Sequence, residues 1–150
     1  MQAMSTLALQ ESLYERIPLS RALGVTVLQV DPGLVVLGAP LAPNVNHSGT
    51  VFGGSASAVA VLAAWSLVEV RLQSAGLTGR IVIRRSAMDF ERPIRADFAA
   101  RAAAPETADW EKLLGTLRRG RMGRIVVRSV LDSAGERVGE LEGEFAVMPA

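Results

Sequence analysis

An uncharged stretch in the first half of the chain limits what this sequence can fold into. No Asp, Glu, Lys or Arg occurs over positions 32–68. Prolines and glycines interrupt the first part of the stretch, whereas an apolar run with helical character begins at position 55. Before the first charge, this run is shorter than the roughly 20 residues that a bilayer requires. We therefore predict a buried core helix over 55–74, ended by Gly76, and no membrane span.

The composition indicates a single globular domain over 1–150. Hydrophobic residues make up 49% of the 150 residues, charged residues 21%, and the net charge is +1. This near balance of charge disfavours a nucleic-acid-binding protein. The chain has no cysteine, so it has neither disulfides nor a thiol nucleophile. The start of the sequence lacks a basic segment followed by an apolar core, so we expect no secretory signal and a cytoplasmic protein.

The pattern before the core helix predicts one helix and one β-hairpin. Apolar residues at helical spacing predict a short amphipathic helix over 6–17. Two β-rich segments, 25–30 and 34–39, flank the turn residues Asp31, Pro32 and Gly33, and this predicts a hairpin. A loop over 40–54 then leads to the core helix.

The second half of the chain predicts four strands and one minor helix. A strand from position 80 breaks at Pro93, and a strand of small residues follows over 95–104. Thr107 is predicted to cap a short amphipathic helix. Alternating patterns over 124–132 and 140–147 predict a hairpin, with arginines opposite glutamates. The simplest fold for these elements is α+β, with an antiparallel sheet curled around the long apolar helix.

Two motifs beside the core helix carry a family resemblance. "NHSGTVFGG" and "MDFERPIRADF" resemble the hot-dog thioesterase superfamily, in which an N-x-x-G-x-x-H-G-G loop opens the central helix and an R-P-I-like corner separates two later strands. The pattern falls on Asn46, Gly49, Gly53 and Gly54, and on Arg92-Pro93-Ile94. The string "NHSGTVFGGSASAVAVLAAW" is most similar to the thioesterase-like domain at the C-terminus of the bacterial acetyltransferase-fused protein YiiD. The resemblance covers nearly the whole chain and implies a hot-dog fold.

This sequence departs from the family at two positions. Phe52 stands where phenylacetate-pathway acyl-CoA thioesterases have the histidine of H-G-G, and Val61 stands where they have the catalytic aspartate. The first ionisable residue of the helix is Glu69, about four turns from its start. The usual general base of those enzymes is therefore missing.

The glycine pair at the start of the helix is the first candidate site. Without side chains, Gly53 and Gly54 let a ligand approach the backbone amides, where the helix dipole favours negative charge. Such donors suit a thioester carbonyl and the oxyanion formed during its hydrolysis. The alternative is that the glycines serve close packing and that Ser55 caps the helix. The predicted substrate-binding residues are Gly49, Thr50, Phe52, Gly53, Gly54, Ser55 and Ser57.

The candidate catalytic residues are Asn46, His47 and Asp89. Asn46 could position a water or the thioester, and His47 could act as a base near neutral pH. Asp89 could supply the missing carboxylate from the other subunit of a dimer. The alternatives are Asx-type bonds by which Asn44 or Asn46 holds the loop, a solvated histidine, and an ion pair of Asp89 with a nearby arginine. Covalent catalysis by a serine is disfavoured, because no G-x-S-x-G motif is present.

A basic run follows the minor helix. Arg118, Arg119 and Arg121 could contact the phosphates of coenzyme A or the acidic face of an acyl carrier protein. The alternative is a solvated helix end, followed by a strand face matched to Glu140 and Glu142. With one histidine and no cysteine, no metal site is expected.

Together, these features predict hydrolysis of an acyl-CoA or acyl-carrier-protein thioester between the subunits of a homodimer or a dimer of dimers, with the amides of Gly54 and Ser55 as the donors to the thioester. Coenzyme A or phosphopantetheine would belong to the substrate, and no separate cofactor is expected. The alternative is a module that binds acyl thioesters without catalysis. A dehydratase is disfavoured because His47 and Glu69 have the wrong spacing.

Overall fold

The computed structural model describes residues 3–150, and these form a mixed α+β fold. Helices and strands alternate along the chain much as the sequence patterns predict. Their bounds in chain order are α1 Thr6–Arg16, α2 Leu19–Ala22, β1 Thr26–Asp31, β2 Leu34–Ala39, α3 Gly53–Ser74, β3 Gly79–Phe90, β4 Phe98–Ala103, α4 Thr107–Arg118, β5 Gly123–Ser133 and β6 Glu136–Pro149.

The strands form one antiparallel sheet in the order β1-β2-β4-β5-β6-β3. Although only a short corner separates β3 from β4 in sequence, the two do not pair. β3 lies at one edge of the sheet and pairs with β6, where Gly79 lies opposite Pro149 and Phe90 opposite Gly139. The other side of β3 has no partner strand within residues 3–150.

The long helix α3 forms the centre of the core, as the uncharged stretch predicts. It contacts all six strands, and Val59, Ala63 and Leu67 are fully buried along it. The Ser129 hydroxyl on β5 donates a hydrogen bond to the Ala60 carbonyl at 2.8 Å. By length and composition α3 could cross a membrane, but here the sheet packs along it. The predicted fold, a sheet wrapped around a central apolar helix, is confirmed.

Turn chemistry accounts for several element ends. The Gly33 amide donates to Asp31 Oδ1 at 2.8 Å in the β1–β2 turn, which closes the predicted hairpin. Gly76 follows α3 with φ +71°, a conformation that glycine adopts without strain. Arg128 and Glu142 lie opposite each other on β5 and β6, with a nitrogen–oxygen distance of 3.0 Å, as the alternating pattern predicts.

Two predicted helix starts are wrong. The backbone of Phe52 is extended and that of Gly53 is already helical, so α3 begins two residues before the predicted start. Ser55 therefore lies inside the first turn and does not cap the helix. Thr107 is likewise the first residue of α4, because the extended residue at the boundary is Glu106. Neither helix has a side-chain cap at its N-terminus.

Candidate functional site

A buried asparagine holds the loop that precedes α3. Asn44 is only 3% exposed, and its side-chain amide donates to the carbonyls of Leu23 and Pro40, both at 2.8 Å. Its own carbonyl accepts a hydrogen bond from the Phe52 amide at 2.7 Å. The loop therefore enters α3 in a fixed position relative to the start of β1 and the end of β2.

The side chain of Asn46 is engaged within the same loop. Its Oδ1 accepts from the amides of Ser48 and Thr50 at 2.8 and 3.1 Å, and its Nδ2 donates to Thr50 Oγ1 at 2.9 Å. Gly49, with φ +77°, completes this tight turn. The geometry matches the loop-holding alternative for Asn46, and it leaves the side chain facing its own turn.

The first turn of α3 leaves two backbone amides without an acceptor. The amides of Ser55 and Ala56 both donate to the Phe52 carbonyl, at 2.9 and 3.1 Å. The amides of Gly53 and Gly54 donate to no group within residues 3–150. The amide pair available to a ligand is therefore Gly53 and Gly54, and the amide of Ser55 is used within the helix. Because these donors lie at the positive end of the helix dipole, they favour a negatively polarised oxygen.

Two phenylalanine rings lie against the two glycines. A Cβ placed on Gly53 would come within 3.3 Å of Cε1 of Phe90, and one on Gly54 would overlap the ring of Phe52. Any larger residue at position 54 would therefore displace the Phe52 ring. The close approach of the two rings is compatible with the packing alternative for the glycines, and their amides still have no acceptor within residues 3–150.

A surface cavity of about 350 Å³ opens beside the amide pair. Its walls come from the loop, the first turns of α3, and the corner between β3 and β4. The lining residues are Thr50, Val51, Gly53, Ala56, Phe90, Glu91, Arg92, Pro93 and Ile94. The Val51 amide donates to the Ile94 carbonyl at 2.8 Å, so the corner and the loop are directly joined.

An ion pair stabilises the rim of this cavity. The Glu91 carboxylate accepts from Nε and Nη2 of Arg137, each at 3.0 Å, and Arg137 also contacts Glu140. These hydrogen bonds from Arg137 hold the pKa of the Glu91 carboxyl below its ordinary value. Glu91 is therefore an ionised, paired carboxylate at neutral pH, which makes it a poor proton acceptor.

The remaining candidate residues lie in three different elements of the chain. His47 is exposed in the loop, and Ser57 is half-buried in the second turn of α3. Asp89 lies opposite Glu140, whereas its neighbour Met88 lies opposite the buried Leu141. Since alternate residues of a strand face opposite sides, Asp89 faces away from α3 of its own chain.

The basic cluster, Arg118, Arg119 and Arg121, lies at the opposite end of the sheet. It precedes β5, whose first residue, Gly123, pairs with Val147, and Val147 in turn pairs with Ile81. Phe90 ends β3 nine residues after Ile81, which corresponds to about 30 Å along a strand. Within one chain, these arginines therefore cannot contact a group bound at Gly53 and Gly54 directly.

No carboxylate of α3 reaches its N-terminus. Glu69 lies about 24 Å from Gly53 along the helix axis, and its Oε1 pairs with Arg16 at 3.0 Å. Across residues 3–150, no three histidine, aspartate or glutamate side chains converge as metal ligands would.

Comparison with known proteins identifies the family. The family model described as "Putative thioesterase (yiiD_Cterm)" matches residues 6–149. The chain belongs to this family. The resemblance seen in the loop and corner motifs is thereby confirmed.

Solved structures agree with this assignment. The chain is similar to a protein from Shewanella oneidensis described as a "putative thioesterase", with 25% identity, 96% of this chain and 97% of that chain covered, and a TM-score of 0.88. A protein of unknown function from Pseudomonas aeruginosa, described as a "Probable Thioesterase", shares 21% identity over 99% of each chain, with a TM-score of 0.84. A protein of unknown function from Chlorobaculum tepidum shares 22% identity over 97% and 94% of the two chains, with a TM-score of 0.91. The latter two likenesses concern the fold.

The sequence patterns do not single out one residue of the site, Phe90. It lines the cavity, but it is separated from the glycine motif by more than thirty positions. β3 follows α3 directly and runs back beside it, so Phe90 at its end meets Gly53 at the start of α3. Asn44, by contrast, holds the loop as the loop-holding alternative for Asn44 or Asn46 has it.

Proposed function

We propose that this protein hydrolyses the thioester of an acyl-CoA or an acyl carrier protein at the N-terminus of α3. The observation that carries the proposal is the pair of amides of Gly53 and Gly54, which have no acceptor within residues 3–150, next to a cavity that Gly53 lines in a thioesterase-family fold. A thioester carbonyl oxygen accepts hydrogen bonds from such a pair. These bonds strengthen as the oxygen gains negative charge, and each donor contributes on the order of 10²–10³ in rate.

Water is the proposed nucleophile. It attacks the carbonyl carbon, the amides of Gly53 and Gly54 stabilise the oxyanion, and the carbon–sulfur bond then breaks to release a carboxylic acid and a thiol. His47 is the side chain of its own loop that can take the proton from water, because imidazole serves as a base near neutral pH. Asn46 fixes the loop that carries His47, and Asp89 of a second copy is the alternative base.

We propose that the active form is a homodimer joined along β3, alone or as a dimer of dimers, in the cytoplasm. β3 is long, its outer edge has no partner strand within residues 3–150, and Val82 and Ile83 are about 40% exposed. Antiparallel pairing of two β3 strands would bring the basic end of one copy next to the cavity of the other. Arg118, Arg119 and Arg121 could then meet the phosphates of coenzyme A or an acidic carrier protein. The proposal involves no resident cofactor.

Thiol release from acyl-CoAs tests the proposal. We would compare the wild-type protein with Asn46→Ala and His47→Ala across short, long and aromatic acyl groups. Ser48→Ala is the matched control, because Ser48 is exposed in the same loop and its side chain makes no hydrogen bond within residues 3–150. We expect turnover in the wild type and the control, and at least a 100-fold loss in His47→Ala. Full activity of His47→Ala would eliminate His47 as the base.

A second candidate function is binding of acyl thioesters without hydrolysis. It is favoured by Phe52 and Val61, which stand where phenylacetate-pathway acyl-CoA thioesterases have their histidine and catalytic aspartate, and by the distance of Glu69 from the amide pair. Saturable acyl-CoA binding without turnover on any substrate would support this candidate. Introducing the residues of those enzymes in Phe52→His with Val61→Asp would then be expected to create measurable hydrolysis.

A further inference from the structure

The two phenylalanines at the start of α3 are unusually exposed. Phe52 and Phe90 are 59% and 60% exposed, whereas Phe98 and Phe145 are buried. Exposed aromatic rings leave a large apolar area in water, and a group of them marks a place where another molecule binds. Both rings lie against the glycines whose amides lack acceptors.

This arrangement combines apolar and polar features that few ligands would match. The residues that carry the two donors each pack against an apolar ring, so the complementary ligand has an acceptor oxygen next to hydrocarbon. The two charged residues that line the cavity are both paired. Glu91 contacts Arg137, and Arg92 contacts Glu136. The cavity beyond Phe90 continues along the apolar side chains of Val51, Ala56 and Ile94. A carbonyl group attached to an alkyl or aryl chain fits this surface.

We propose that Phe52 and Phe90 form an aromatic clamp that selects thioesters with apolar acyl groups. This inference rests on the proposed thioester ligand but does not require hydrolysis. Phe90, which lines the cavity, packs along the acyl chain. Phe52, which lies outside the cavity lining, packs against Gly54 and shields the bound carbonyl oxygen from water.

The test measures binding and thiol release for acetyl-, butyryl-, hexanoyl- and octanoyl-CoA. Each methylene that becomes fully buried strengthens binding about fourfold. We expect affinity to rise with chain length in the wild type until the cavity is filled. In Phe90→Ala, octanoyl-CoA affinity should fall at least tenfold, because burial of a phenylalanine contributes this much or more, and acetyl-CoA affinity should fall by a smaller factor. The octanoyl-CoA affinity of Phe90→Leu should lie between those of the wild type and Phe90→Ala.

Two controls distinguish a loss of the clamp from a loss of stability or a nonspecific loss of binding. Leu28→Ala removes a side chain of similar exposure from β1, which does not line the cavity, and it should leave the chain-length profile unchanged. Because Phe90 is mostly exposed, Phe90→Ala should also retain the wild-type unfolding midpoint.

The possible outcomes distinguish this inference from the proposed hydrolysis. A chain-length gradient that Phe90→Ala abolishes, without turnover in any variant, would support the clamp and refute hydrolysis. If Phe90→Ala loses the same factor of affinity at every chain length, or loses none at any, the clamp would be overturned even if hydrolysis occurs. A change in the monomer–dimer equilibrium without a change in the gradient would also overturn it, because the ring would then belong to the subunit interface. A wild-type protein that binds no acyl-CoA would overturn both the clamp and the proposed hydrolysis of acyl-CoAs.

Discussion

Replacing Asn44 tests whether a single buried side chain fixes the loop of the candidate site. Asn44→Ala removes both hydrogen bonds to the carbonyls of Leu23 and Pro40, and neither carbonyl gains a new donor from an alanine. A buried hydrogen bond contributes about 1 kcal/mol net, and a buried polar group left unsatisfied costs about 1–3 kcal/mol. We therefore expect the free energy of unfolding to fall by about 2–4 kcal/mol.

Thermal and urea unfolding measure this change. For a domain of this size, 1 kcal/mol corresponds to about 2–4 °C in the melting temperature, so a loss of 3 kcal/mol lowers it by about 6–12 °C. Asn44→Asp keeps the size of the side chain but replaces the donor with an acceptor, and it should be at least as destabilising. Asn46→Ala is the comparison variant, because Asn46 is half-buried and its hydrogen-bond partners can reach water. Its free energy of unfolding should therefore fall by only about 1 kcal/mol.

Two results would contradict this role of Asn44. One is a fall in the free energy of unfolding below about 1 kcal/mol in Asn44→Ala, and the other is an Asn44→Asp variant as stable as the wild type. Either result would mean that water replaces the asparagine, and the loop would then be held by its backbone contacts. The thiol-release assay adds a second readout, because a displaced loop would move the start of α3 and lower activity at temperatures where the variant is still folded.

Two further predictions concern the rim of the cavity and the edge of the sheet. Arg137 lowers the pKa of Glu91 in the folded state, so the pair stabilises the fold above the ordinary carboxyl pKa of 4.5 and this stabilisation is lost as the pH falls below it. The difference in urea midpoint between the wild type and Glu91→Gln should therefore be present at pH 7 and vanish in acid; a constant difference would exclude titration of Glu91 as its source. Ile83→Asp should shift the proposed β3–β3 dimer to monomers in sedimentation experiments, whereas Val126→Asp, at similar exposure on the central strand β5, should leave it intact. Dissociation by both variants, or by neither, would contradict an interface along β3.

Local chemistry explains why most elements could be predicted from the sequence. The Asp31-Pro32-Gly33 turn, the glycine at position 76 and the alternating strands of the last hairpin each act over a few neighbouring residues. The start of α3 was less predictable, because Gly53 and Gly54 carry no side chain that signals a helix. Thr107 is a residue type that favours a cap, yet the extended backbone at Glu106 sets the boundary.

The sequence predicts only those parts of the candidate site whose residues are close together in the chain. The loop and the glycine pair belong to one continuous motif, and the family is confirmed by the match over 6–149. Phe90, by contrast, meets Gly53 because β3 runs back beside α3 to the start of that helix. The distance between the arginine cluster and the amide pair also follows from the strand order, which no local pattern encodes.

The pairing of β3 with β6 also governs how the chain can assemble during its synthesis. Both α3 and β3 leave the ribosome well before β6, which supplies the only strand partner of β3 within residues 3–150. Until then, β3 lacks its partner strand, and the part of the inner surface that β6 supplies to the apolar helix is missing. Pairings of such long sequence separation form slowly, and the waiting intermediate exposes apolar surface. The nascent chain is therefore expected to depend on protection from aggregation until its final hairpin has been made.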